Sequence, residues 1–460
     1  MPTNSSFYSL LALSTMFLST IFGLVGGVSA QSSGYYPNAV TDRLIHLETP
    51  MLPPSRNVLF TDPDFLSTMV RATDATTNYQ LPGTYLRSDA SGKENEWSAD
   101  TKKFYVLGAG GQVFAFGFDP ATMAISSLPN AAAGEGLRLP MRPGTFSFVD
   151  PDLIYATSDP DVLTINSYRF STGVLTPVID TRTCGLQPPL GSTALSDDDV
   201  NLSLDDSRMS ISEGGKESGS HMFVVVYDQT AGCRWYNTQT GQIGGQWGAT
   251  GTASVTTPYY IDHAYISRNG KYVLIYEYGF GFYVWDLATL NLTSCAIGSG
   301  MECAGYGAIG YNSYVSGPGI LDDMQLAKRP FGNLSQITQL FYPEPSPGNW
   351  GQNQHFSWSD VKANLSTPVC GSNYNYEGDT TIDQPYAGEI FCAETDGLAS
   401  TVWRFAHNRA TYIDPYFQTQ PLGNVSLDGR FMLFTSDWDA QLGTGTDGTP
   451  RSDVFIVKLE

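Results

Sequence analysis

The chain is short of positive charge. Against 45 acidic residues it carries 24 Lys and Arg, a formal net charge of −21. Nucleic acid and anionic membrane both demand a basic footprint, so the balance argues against either as a partner. Histidine is scarcer, with five in 460 residues. There are six cysteines, Cys184, Cys233, Cys295, Cys303, Cys370 and Cys392, and none has a Cys-x-x-Cys neighbour. That spacing speaks against structural zinc and thioredoxin-like chemistry. Beyond Val28 no run approaches the roughly 20 apolar residues that span a bilayer. No Gly-x-Ser-x-Gly elbow opens a strand–helix unit, which argues against a serine hydrolase of that kind. "GAGGQV", Gly108 to Val113, precedes no helix that could present amides to a phosphate, and reads as a turn between strands.

What is present points to export. Phe7 to Val28 is apolar, and Val28-Ser29-Ala30 before Gln31 fits a small-x-small cleavage site. Residues 1–30 therefore read as a signal peptide and 31–460 as one domain, secreted and monomeric. The apolar run lacks a basic flank and is also long enough for an uncleaved anchor. An even cysteine count suits disulfides, with pairing between sequence neighbours the simplest arrangement. Glycosylation triplets begin at Asn201, Asn291, Asn333, Asn364 and Asn424; Asn201 and Asn424 fall in expected strands.

Glycine (47), proline (27) and tyrosine (26) are spread along the chain, which fits many short strands broken by turns. A hairpin recurs: "NEWSADTKKFYVLG" from Asn95, "VNLSLDDSRMSISEGG" from Val200, "AYISRNGKYVLIYE" from Ala264 and "GNVSLDGRFMLFTSDWD" from Gly423. Each has a Ser closing one strand, a turn rich in Asp, Asn or Gly, a basic residue, then an alternating strand. "HFSWSDVKAN" from His355 is a weaker copy, and stretches near Phe148 and Gly310 are more degenerate. A third strand ending in Asp often follows. The closing positions recur at intervals of roughly 40–70 residues, centred on the range of propeller blades. The expectation is all-β: a seven-bladed propeller of four-stranded antiparallel blades. A strand from Phe60 to Ala75 should join "RSDVFIVKLE" and close the ring, removing two exposed edges.

These hairpins resemble the repeat of Tol-type propellers. "WRFAHNRATYIDPYFQTQPLGNVSLDGRFMLFTSDWD", Trp403 to Asp439, resembles the C-terminal blades of oligogalacturonate lyases. That family holds Mn²⁺ with His and Gln side chains at the propeller mouth and uses a further His as base. The resemblance implies His355 and Gln354 as ligands, and His263 as ligand or base.

The first strand of each blade lines the central channel, so the fourth position before its closing Ser should lie near one mouth. That register holds Glu94, Asp199, His263 and His355, then Leu422. Two imidazoles and two carboxylates suit a divalent cation, Mn²⁺, Ca²⁺ or Zn²⁺, with Gln354 as a spare donor. Each also reads as an ordinary rim residue, Glu94 and Asp199 as parts of solvated turns. Arg409, with Arg404 beside His407, could pair with a substrate carboxylate, although this run reads as an outer strand and loop. Tyr265 belongs to an aromatic region that packs between blades or stacks on sugar.

Three functions follow as expectations. The first is a lyase of uronate polysaccharide using metal-assisted β-elimination, with an imidazole base and no organic cofactor. The second is a glycoside hydrolase using Glu94 and Asp199. The third is a propeller that binds carbohydrate or protein without chemistry.

Overall fold

The computed structural model describes residues 35–89, 94–132, 134–190, 194–196, 200–215, 220–254, 258–277, 282–294, 307–316, 326–341, 353–363, 366–374, 384–396 and 401–460. The recurring hairpin owes its shape to one side-chain pair. Ser267 Oγ donates to Asn269 Oδ1 at 2.7 Å and accepts the Tyr272 N–H at 3.0 Å, while the same Oδ1 accepts from Lys271 N. Ser98 with Asp100, Ser203 with Asp205 and Ser426 with Asp428 build the same turn. A short oxygen-bearing side chain thus satisfies backbone donors that the tight turn leaves over.

The described strands form seven antiparallel sheets, the blades of a propeller. The innermost strand of blade 1 is reduced to a bridge at Trp97, followed by Lys103–Gly108, Gln112–Asp119 and Ala124–Ser127. Blade 2 runs from Gly144–Phe146 to Val174–Asp180, and blade 3 from Asn201–Leu202 to Gln242–Gly245. Blade 4 runs from Ile261–Ile266 to Leu292–Ser294, blade 5 from Ala308–Ile309 to Thr338–Phe341, and blade 6 from Asn353–Ser357 to Val402–His407. Blade 7 starts at Gly423–Val425 and takes its outer strands from the other end of the chain. There Thr68–Arg71 pairs with Asp453–Lys458, Met69 lying opposite Val457. The expected closure of the ring is borne out.

Stacking buries both faces of each sheet, so alternate residues serve different neighbours. Along one strand of blade 3, Val224 and Val226 join a cluster with Ala264 and Ile266 of blade 4. The intervening Phe223 and Val225 pack with Phe148 and Tyr155 of blade 2. Among the described residues no helix is long and apolar enough to cross a membrane.

Several details differ from the repeat. Blade 2 closes at Ser147 rather than Phe148, because Ser147 N bonds Leu153 O and its hydroxyl is taken by Asp206. Leu86–Arg87 pairs with the far end of Lys103–Gly108, and Leu137–Arg138 resumes the outer edge of blade 1. Cys184–Cys233 ties blade 2 to blade 3, and Cys370–Cys392 links two strands of blade 6. Both match sequential pairing; Cys295 and Cys303 lie outside the described residues. Asn201 and Asn424 are buried, as strand positions should be, whereas Asn291 and Asn333 are exposed.

Candidate functional site

In blade 4 the pairing register slips between Ile261 and His263. Such a bulge kinks the strand and re-aims its side chains. The His263 side chain keeps 22% of its surface exposed, and its Nε2 lies 3.6 Å from Asp262 Oδ2. The imidazole ring stands 5.6 Å from the Tyr265 ring. This is an accessible His beside a carboxylate, on an innermost strand.

His355 sits in the equivalent strand of blade 6 in another environment. It is fully buried, stacks on Tyr374 at 5.3 Å and meets Phe417 edge-on. Its Nε2 lies 2.8 Å from Gln420 Oε1, which also accepts from the Tyr374 hydroxyl. Because that oxygen only accepts, the proton of the neutral ring belongs on Nε2.

Gln354 shares the parity of Phe356 and Trp358, which pack in the cluster with Ala308 and Val315 of blade 5. His355 instead reaches Gln420, ahead of blade 7. Neighbouring residues of a strand point to opposite faces, so the two side chains diverge. Both polar atoms of the Gln354 amide are buried without a hydrogen-bond partner. A metal would satisfy its oxygen, but His355 Nε2 is committed and faces the other way. As they stand, the described donors do not fit a single ion shared by Gln354 and His355, and no chemical step below is routed through a metal.

Glu94 is buried, at 1% exposure, so its expected place in a solvated loop is corrected; its charge acts on Arg268 and Tyr105. Asp199 lies outside the described residues. Tyr265 is buried between blades 4 and 5 against Tyr276, and cannot stack on a sugar in this arrangement. Arg409, also buried, bonds Glu48 at 2.9 Å and Thr49 O at 2.8 Å. Arg404 is paired with Glu389 and Asp42. The run around His407 therefore clasps the N-terminal arm instead of facing a ligand.

One described group brings three metal-capable side chains together: Asp62, Asp64 and His407, whose ligand atoms lie within 4.8 Å of one another. They could hold a metal ion. Each is already engaged, however. His407 meets Asp64 Oδ2 at 3.2 Å and His46 O at 3.0 Å, and Asp62 accepts from the backbone of Asp64 and Phe65. The group pins the arm to blade 6.

Residues that the repeat could not reveal gather at the starting ends of blades 7 and 1. Arg87 lies over the Phe417 ring at 5.6 Å, so one phenyl group separates it from His355. Arg87 is 3.9 Å from Asp89, which accepts from Tyr105 at 2.8 Å. Glu96 accepts from Ser88 Oγ at 2.6 Å and from Asp89 N. Burial, reinforced by the Asp89 charge, pushes the Glu96 carboxyl up to about 8. Arg87 belongs to no copy of the hairpin, so no register pointed to it. Asp262 was not singled out either; its place directly before His263 is the one signal in the sequence that could have pointed to it.

Solved structures share this architecture. An oligogalacturonate lyase from Vibrio parahaemolyticus matches with a TM-score of 0.53 and 12% identity, over 87% of this chain and 96% of the other. An oligogalacturonate lyase in complex with manganese also gives 0.53 and 12%, over 90% and 99%. At that identity the likeness is one of fold. No protein-family model matches the sequence, and no curated protein does.

Proposed function

We propose that the chain is an exported lyase that cleaves uronate-containing polysaccharide by β-elimination, with His263 as the base. The observation that carries this reading is the partly exposed His263 at a bulge, with Asp262 at 3.6 Å. The Asp262 carboxylate stands beside the ring, and a neutral imidazole is the form that accepts a proton. The fold shared with two oligogalacturonate lyases supports the substrate class.

In the reaction His263 takes the C5 proton of a uronate. The electron pair forms the C4–C5 double bond as the C4–oxygen bond breaks, and the leaving oxygen gains a proton. Positive charge at the substrate carboxylate lowers the cost of the enolate. Arg87, 21% exposed and braced by Phe417, stands across the ring at the start of blade 1, where it can meet a more distant acidic group of the substrate. His355 then supports the mouth through Gln420.

A propeller that binds carbohydrate without chemistry is the second reading, favoured by the burial of His355, Glu94 and Tyr265. Incubation with oligogalacturonate separates the two. A lyase generates the ultraviolet absorbance of an unsaturated uronate, and a binder leaves the spectrum unchanged.

A further inference from the structure

At the outer edge of blade 6, the turn that follows Leu59–Thr61 meets the last residue of Val402–His407. Asp62 N donates to Ser67 O at 3.0 Å and Leu66 N to Asp62 O at 2.9 Å. These bonds close a tight turn that carries Asp62, Asp64 and Phe65. His407 N donates to Asp62 Oδ2 at 3.2 Å, so the turn is held against the strand end. The ligand atoms of Asp62, Asp64 and His407 lie within 4.8 Å of one another. Donors about 2.0–2.2 Å from a first-row metal ion stand roughly 3–4.4 Å apart, so the spacing suits one ion.

The hydrogen bonds of His407 do not close without a cation. Its ring is fully buried, with Nε2 3.0 Å from His46 O and Nδ1 3.2 Å from Asp64 Oδ2. A carbonyl and an ionised carboxylate only accept. A neutral ring therefore satisfies one of the two and turns a lone pair on the other. A second proton would serve both, but burial works against the charged ring. An ion on Nδ1 leaves the Nε2 proton to His46 O and removes the clash of lone pairs.

The surrounding bonds brace the three side chains as an outer shell does around a metal. Thr49 Oγ1 donates to Asp64 Oδ1 at 2.6 Å, and Thr49 N to Asp64 Oδ2 at 2.9 Å. Asp62 Oδ1 accepts from Asp64 N and Phe65 N, both at 2.9 Å. The Phe65 ring meets the imidazole edge-on at 5.1 Å. Metal-bound histidine usually gives its second N–H to a carbonyl or carboxylate, and ligating carboxylates are themselves hydrogen-bonded. None of these residues comes from an innermost strand, so the place is separate from the mouth.

We propose that Asp62, Asp64 and His407 bind one divalent first-row ion, Mn²⁺ or Zn²⁺, which fastens the N-terminal arm to blade 6. Carboxylate oxygen and imidazole nitrogen together suit such ions, and two carboxylates balance the charge of one. The ion completes a row of contacts along the arm. Arg404 holds Asp42, His407 reaches His46 O, and Thr49 holds Asp64. The site uses neither His263 nor Arg87 and stands apart from the lyase reading.

The test is calorimetric titration of the chelator-treated full chain with MnCl₂ and with ZnCl₂. One ion per chain should bind. Trypsin should cut after the exposed Arg43, in the arm, faster before the ion is added than after. Thr49→Val removes one brace and should weaken binding roughly 10–100-fold; Asp64→Asn and His407→Phe should weaken it at least as much. Asp64→Asn keeps the shape of the side chain and serves if His407→Phe folds poorly. Gln354→Ala, at the mouth, should bind as the wild type does. Loss of the ion in that variant places it at the mouth and overturns the site. No stoichiometric uptake of either ion overturns it too, and leaves a proton on His407 in its place. Undiminished binding in Asp64→Asn has the same force.

Discussion

The Nε2 of His355 and the Oε1 of Gln420 lie 2.8 Å apart, and this contact separates the two histidines that share a register. His355 is locked between Tyr374 and Gln420, whereas His263 is partly open beside Asp262. His355→Ala removes a buried ring and a hydrogen bond to an oxygen with little other support. It should lower stability by about 2–4 kcal/mol, read from the urea midpoint at unchanged slope. Any activity lost by this variant should follow its lost stability. A stable but inactive His355→Ala protein would return His355 to the chemistry.

The Ser–Asp and Ser–Asn turns set a second expectation. Ser426→Ala deletes the donor to Asp428 at 2.6 Å and the acceptor for Phe431 N. The cost should be about 1–2 kcal/mol, and Ser98→Ala in blade 1 should cost about the same. The two turns share no partner, so the double variant should show the sum within about 0.5 kcal/mol. Urea unfolding of the single and double variants measures this directly.

Buried carboxyls make stability depend on pH. Burial raises Glu96 from 4.5 to about 8, with Asp89 adding to the shift, and burial likewise raises Glu213 to about 8. A raised carboxyl binds its proton more tightly in the folded than in the unfolded chain. Its stabilising contribution is complete below the unfolded value and is lost as pH rises toward the folded one. The unfolding midpoint should therefore fall between about pH 5 and about pH 8, and Glu96→Gln should flatten that fall. A midpoint that climbs across this window in the wild-type chain would contradict these assignments.

Much of the propeller was legible because the hairpin is a local device. Ser, a short oxygen-bearing side chain two residues on, and an alternating strand are enough to write it; four copies carry it, and a weaker fifth at Ser359 keeps the Ser without that partner. Closure by Thr68–Arg71 was legible from its apolar pattern beside an unpaired final strand. The strands of blade 1 that resume after insertions, Leu86–Arg87 and Leu137–Arg138, were hidden because two residues carry no period.

The site was less readable. Shared register gave His263 and His355 alike, but a bulge of one residue and a glutamine from the next blade gave them different surroundings. Arg409 and Tyr265 drew notice as side chains that recognise sugars and acids. Nothing in one sequence could show that Glu48, Thr49 and Tyr276 already occupy them. Arg87 reaches the rim of the ring through a two-residue strand far from any repeat.

The central claim is elimination by His263. The direct measurement is the rate at which ultraviolet absorbance of the unsaturated product appears from oligogalacturonate. The account predicts product from the wild-type chain, a loss of roughly a hundredfold or more in a folded His263→Ala variant, and a smaller loss in Asp262→Asn. No product from the wild-type chain on any uronate oligosaccharide, or an undiminished rate in His263→Ala, would contradict it.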